Sequence, residues 1–347
     1  MGTSPPTWIA NGLLVLGSVV TVFLLVEGIF AFALSHPQIL ASSDGTVGEA
    51  LAYARGYYVS QDRKLVQYLA DCAQYDREVT YTLIPGHTCR VAGREYVVEY
   101  TANRAGLRDS DDALSRAEII VLGDSHGMGW GVQGEQSFPK RLQEITGRRV
   151  LNASMSSYGT AREMTLLERL ALPAETLVIQ YSDNDFVENK PYVDHGALNI
   201  LPEWQYRAVV REHGLATRYY PLKHAISLLT APWHGPPPSP ESDQRDEASY
   251  FLEVLLRHRA RLEGKTIVVT EIGAYDQNDR RFIDALRRSL AEPRHAALAR
   301  WLTAIDVSHA LEPGDYYVLD GHMKASGHDK VARLLAAELD RRKRLNR

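Results

Sequence analysis

The sequence predicts an α/β protein, a parallel sheet with helices on both faces, carried behind one membrane-spanning helix. Three observations lead there. Short apolar runs at 117–122, 148–153, 176–181 and 265–270 end in polar or small residues and alternate with helical patterns. That alternation is the signature of a parallel sheet wound with crossover helices. Residues 8–34 hold a single charge, Glu27, in 27 positions. The remainder is globular in composition, with 45% hydrophobic and 24% charged residues over a chain of 347. These values exclude a disordered or collagen-like chain, and the length suits about two domains. A net charge of −4 leaves no basic surplus for nucleic acid.

Residues 1–7 form a short tail. Residues 8–34 exceed the ~20 apolar residues that cross a ~30 Å hydrocarbon layer, and Trp8 sits where an interfacial anchor belongs. Ala31-Phe32-Ala33 has the small-x-small form of a cleavage site. The apolar run is nevertheless too long for a signal peptide, and no basic residue precedes it. The expectation is an uncleaved single-pass anchor in the lipid bilayer. The first Lys or Arg beyond it is Arg55, so charge bias says little about orientation. The expected arrangement has the short tail inside and the large C-terminal part outside the cytoplasm, in a periplasm or at a cell surface. Glu27 then lies near the outer end, within reach of the interface or a partner helix.

Residues 35–116 read as a juxtamembrane stretch and a small β-containing segment. A helix-like piece covers 49–58, and short strands at 77–83 and 94–103 flank Ile84-Pro85-Gly86-His87. Cys72 and Cys89, the only cysteines, are too few for a zinc ribbon. They are expected to pair, with Cα atoms within ~7 Å, if the compartment is oxidising. Residues 117–345 form the α/β domain, with helices near 137–147, 160–172, 250–264, 279–291 and 328–344. An insert at about 186–250 contains Trp204, Tyr206, Tyr219, Tyr220, Trp233 and a proline-rich run at 231–242. A long excursion after a strand's carboxyl end suits a lid or a specificity element. Its aromatics equally suit a small core of its own. The basic C-terminus, RRKRLNR, suits a solvated helix end.

Four segments fall at one edge of the expected sheet. Gly123-Asp124-Ser125 follows the first strand, with Gly127, Gly129 and Gly131 after it. A serine there points into the crevice where such sheets bind ligands, and it needs a base to become a nucleophile. Asp320-Gly321-His322 offers a base and its orienting carboxylate from one short loop. Asn184, in Ser182-Asp183-Asn184-Asp185, can donate an amide to an oxyanion. Asn152 to Gly159 follows the second strand. Each segment alone reads as an ordinary turn, and there are twelve histidines. Their coincidence at one edge carries the reading. His126 and His328 are the alternative bases.

The pattern resembles the SGNH, or GDSL, hydrolase superfamily, whose fold is a flavodoxin-like three-layer parallel sheet. Gly123-Asp124-Ser125 matches the first block. The resemblance implies Ser125 as nucleophile and backbone oxyanion donor, and Asn184 as side-chain donor, with Ser182 where Gly is usual. Ser157 stands where the second block places a glycine whose N–H completes the hole. The last block is commonly Asp-x-x-His. Here Asp320 and His322 are two apart, a spacing also familiar from relatives that O-acylate polysaccharides. Upstream, Tyr81 to Gly86 and Asn103-Arg104-Ala105-Gly106-Leu107-Arg108-Asp109 are similar to membrane-anchored bacterial members. The resemblance implies a serine esterase or O-deacylase on an acyl ester or acylated carbohydrate, with no metal or organic cofactor. An O-acyltransferase serving envelope polysaccharide machinery and a non-catalytic glycan-binding or assembly module are the alternatives.

Overall fold

The structure, a computed structural model, describes residues 7–41, 46–230, 247–274 and 280–345. It divides into two compact units, Met1–Asp62 with Thr217–Asp243, and Arg63–Ala216 with Gln244–Arg347. The proline-rich run and Trp233 lie outside the described residues.

The first unit is built on one continuous helix, Thr7–Ser35, which is long and apolar enough to cross a membrane. No proline interrupts it. From Trp8 to Val26 its apolar side chains are almost all exposed, among them Leu14 at 72%. Those 19 residues rise about 28 Å. The next residue, Glu27, is buried instead. Its carboxylate accepts the Ala225 N–H at 3.0 Å and the Tyr219 hydroxyl at 3.2 Å, and lies 2.9 Å from His224 Nδ1. A lone buried carboxylate would be costly. The helix Lys223–Thr230, from within the insert, and Tyr219 just before it supply its partners. Phe30 packs edge-on against Tyr57, and buried Lys223 binds Asp62 at 3.1 Å.

The second unit opens with two antiparallel hairpins. β1 (Ala73–Asp76) pairs with β2 (Thr80–Leu83), and β3 (Thr88–Ala92) with β4 (Val97–Thr101). Cys72 and Cys89 form a disulfide between the hairpins, Cα atoms 5.3 Å apart. The central sheet follows: β5 (Ile119–Leu122), β6 (Val150–Asn152), β7 (Thr176–Tyr181), β8 (Thr266–Glu271) and β9 (Leu302–Ile305), all parallel, in the order β6-β5-β7-β8-β9. This is the flavodoxin-like order, two strands exchanged at the start and the rest in sequence.

β5, β6 and β7 are wholly buried, which is why they read as unbroken apolar runs. Alternate residues feed two cores. Ile120, Leu177, Ile179, Ile267 and Val269 meet the helices Thr160–Leu170, Glu247–Arg257 and Arg281–Leu290. Ile119, Val121, Val178 and Val268 meet Phe138–Thr146 and Ala325–Leu345. The hairpins contribute Tyr81, Val91, Val98 and Tyr100 to the first core.

Two features depart from the expected layout. β9 is a strand that the sequence pattern does not predict. Its four residues follow an Ala-rich stretch that reads as helix, and as an edge strand it is only alternately buried. The insert is divided. Asn184–His195 and Glu203–Ala216 pack within the second unit, where Tyr206 is buried beside Tyr75 and Tyr81. Residues 217–230 belong to the first unit.

Replacing both Cys72 and Cys89 with serine frees a 17-residue separation. Chain entropy sets the expected loss at about 3 kcal/mol, read as a lower denaturant midpoint. An unchanged midpoint contradicts this.

Candidate active site

Sheet order places the site. The strand sequence reverses between β5 and β7, the point beyond whose carboxyl ends such sheets bind their ligands. β5 runs directly into Gly123-Asp124-Ser125. A side chain at 123 would put its Cβ 2.6 Å from Gln180 Oε1, so the turn takes only glycine. That oxygen accepts the N–H groups of Asp124 at 3.1 Å and Gly127 at 3.0 Å. Asp124 in turn accepts the His126 N–H at 2.8 Å. The turn is thus pinned from β7, and Ser125 is left half-exposed. Burial pushes the Asp124 carboxyl up to about 6.

His322 lies in the loop between β9 and the C-terminal helix. Its Nε2 is 2.7 Å from Ser125 Oγ, across 197 residues of sequence. Its Nδ1 contacts Asp320 Oδ1, and the Asp320 side chain is fully buried. Hydroxyl, imidazole and carboxylate therefore form one hydrogen-bonded line, the order needed for a base oriented by an acid. Trp130 stacks on the His322 ring at 5.1 Å. The alternative bases are poorly suited. Burial pushes His328 down to about 3, and its Nδ1 is taken by the Phe138 N–H at 3.2 Å. Burial, with His322 beside it, holds His126 well below the ordinary imidazole range. Imidazoles of such low basicity are weak proton acceptors for a serine.

Asn184 and Ser157 come from the neighbouring strand ends. Leu122 pairs with Ile179, so Ser125 and Asn184 leave the same edge of the sheet on adjacent strands. Asn184 Oδ1 is buried with no hydrogen-bond partner among the described residues. The amide is not spent on the protein, and turned about its terminal bond it presents Nδ2. Ser157 keeps the left-handed conformation that a glycine would adopt there without strain, with φ +59°. For an L-residue this costs about 1–2 kcal/mol. The neighbours that hold it are specific. Gln67 Nε2 donates to Ser157 Oγ at 3.0 Å, the Tyr81 hydroxyl donates to the Ser156 carbonyl at 2.7 Å, and the Tyr158 hydroxyl donates back to the Tyr81 carbonyl.

Several residues that build the site carried no chemical signal of their own. Gln180 is one, hidden inside an apolar strand. Arg108 is another. It is buried and donates to the carbonyls of Met128 at 3.2 Å, Val132 at 2.7 Å and Glu99 at 2.9 Å, with Tyr100 stacked on its guanidinium at 3.8 Å. It thereby fixes the glycine-rich chain after Ser125. Asp109 accepts the Asn152 N–H at 2.7 Å and tethers β6. The motif from Asn103 to Asp109 is the signal the sequence offers for both. Tyr96 and Glu95, which reach the Asp320 loop, had none.

His328 gives the site a pH signature. Its folded basicity is depressed to about 3, so the unfolded chain binds a proton that the folded chain refuses. Stability from this group is present above the unfolded value near 6.5 and is lost as pH falls toward 3. His328→Gln, which keeps an acceptor for Phe138, is expected to flatten the fall of Tm between pH 6.5 and 4. A parallel fall in both proteins contradicts this.

The sequence matches no family profile and no curated protein. Similar solved structures exist. A member of the lipolytic G-D-S-L family from Veillonella parvula is 12% identical, covering 62% of this chain and 94% of that one, with a TM-score of 0.37. A two-domain esterase active on acetylated mannans is 12% identical, covering 67% and 51%, with a TM-score of 0.39. A carbohydrate esterase family 2 enzyme from Corynascus thermopiles is 12% identical, covering 64% and 65%, with a TM-score of 0.38. The flavodoxin-like sheet order, with the Gly-Asp-Ser turn and the Asp-Gly-His loop at its carboxyl edge, is the arrangement that the resemblance to the SGNH, or GDSL, hydrolases implied.

Proposed function

We propose that this protein is a membrane-anchored serine esterase that removes ester-linked acyl groups, with acylated carbohydrate as its substrate class. One observation carries the catalytic reading: the 2.7 Å approach of His322 Nε2 to Ser125 Oγ, with Asp320 on the far ring nitrogen. In this reading His322 takes the Ser125 proton as Oγ attacks the ester carbonyl, and Asp320 stabilises the imidazolium. The oxyanion is met by the N–H groups of Ser125 and Ser157 and by the Asn184 amide. His322 then gives its proton to the leaving alcohol. Water, activated by the same imidazole, attacks the acyl-enzyme and releases the acid. Asp183 and Ser157 are exposed next to the site residues, polar groups that suit a hydroxylated alcohol.

Two observations support anchoring outside the cytoplasm. The exposed apolar stretch from Trp8 to Val26 has the length of a hydrocarbon layer before the buried Glu27 interrupts it. The Cys72–Cys89 disulfide belongs to an oxidising compartment.

The test is hydrolysis of acetylated oligosaccharides by the full chain in detergent. Ser125→Ala is expected to abolish turnover. Asn184→Ala is expected to lower kcat by about 10²–10³ with little change in KM, as for a lost oxyanion donor. Full activity in Ser125→Ala overturns the reading.

A further inference from the structure

The hairpin β3–β4 lies outside the sheet, yet it reaches both halves of the catalytic line. On one side it holds the nucleophile's chain. The Tyr100 hydroxyl accepts the Gly131 N–H at 3.3 Å, and a side chain at Gly131, φ +74°, would strike the Tyr317 ring at 2.8 Å and the Tyr96 ring at 3.0 Å. On the other side it holds the base's loop. The Glu95 carboxylate accepts three successive backbone N–H groups, Val318 at 2.7 Å, Leu319 at 2.8 Å and Asp320 at 3.1 Å. The adjacent Tyr96 donates its hydroxyl to Asp320 Oδ2 at 2.9 Å. Asp320 thus spends one oxygen on His322 and the other on the hairpin.

Resting on the serine-hydrolase reading above, we infer that Tyr96 is a positioning residue that sets the basicity of His322 through Asp320, with Glu95 fixing the loop that carries both. The electrostatics give the sign. A hydroxyl donated to Oδ2 draws negative charge from the carboxylate and leaves less for an imidazolium on Oδ1. Without it, Asp320 favours protonated His322 more strongly, and the free base appears only at higher pH. Other titratable groups facing the pair are Asp124 and His126 of the nucleophile turn, His328 of the C-terminal helix, Glu95 and Tyr100 of the hairpin, and Tyr317 of the loop itself. Tyr96→Phe leaves all of these in place.

The experiment compares kcat/KM against pH for the full chain, Tyr96→Phe and Tyr317→Phe. Tyr317 belongs to the same aromatic cluster, its ring 5.2 Å from Tyr96, but its hydroxyl goes to the Gly131 carbonyl at 2.7 Å. Tyr96→Phe is expected to lose up to about tenfold in kcat/KM well below the acid limb and little above it, as for a base whose titration moves by about one pH unit. Its acid limb is expected to move upward by up to about one pH unit, while that of Tyr317→Phe stays in place. Parallel loss at every pH, or equal movement in both variants, overturns the inference. The His322 imidazole titration, followed by NMR in the Ser125→Ala background with and without Tyr96→Phe, reads the same shift without turnover. An unmoved titration there overturns the inference even if the esterase reading stands. Turnover surviving in Ser125→Ala overturns the esterase reading while the titration still reports on Tyr96.

Discussion

The site depends on one hydrogen bond between groups 197 residues apart, the Ser125 hydroxyl and the His322 imidazole. A bond of that kind tolerates only a few tenths of an ångström of error, and neither partner sits on a strand. The parallel sheet brings the two loops to one edge, and Gln180 on β7 pins the turn that carries Ser125. The rest of the fixing comes from the segment that precedes the sheet. Tyr81 locks the loop around Ser157, Arg108 and Tyr100 lock the chain after Ser125, and Glu95 and Tyr96 lock the loop of Asp320. The disulfide joins the two hairpins to each other. The segment that precedes the α/β fold in sequence is therefore part of the site's geometry.

The site holds groups that folding disfavours. Glu163 is fully buried with neither carboxylate oxygen bonded among the described residues, and burial beside Asp185 holds it well above the usual carboxylate range. Asp124 is pushed up in the same way, and Ser157 occupies a strained backbone well. Strained or desolvated groups persist only where the surroundings over-determine them. Here the surroundings are two well-filled cores, one on each face of the sheet, and a dense set of side-chain bonds to loop backbone.

Much of this was legible in sequence, for identifiable reasons. The strands β5, β7 and β8 were readable because burial on both faces removes polar residues from them. The meeting of Ser125 and His322 was readable because each stands within a few residues of an element's end, where α/β sheets place their chemistry. β9 was not, since a four-residue edge strand has too little pattern to compete with the Ala-rich helix signal before it. Glu95 and Tyr96 were not, since in EYVVEY they look like ordinary strand residues, and their partners lie more than 220 residues away. The partner of Glu27 was equally hidden. A helix nearly 200 positions further on supplies it, and only folding shows why a carboxylate is tolerated in that helix.

The central claim is that Ser125 is the atom that becomes acylated. Mass spectrometry of the full chain, quenched within the first turnover of an acetyl ester and followed by peptide mapping, tests it most directly. The account predicts an added acetyl group on the peptide containing Ser125, absent in the His322→Ala protein. Acetylation elsewhere in the chain, or rapid turnover with no adduct at Ser125 under any quench, would contradict it.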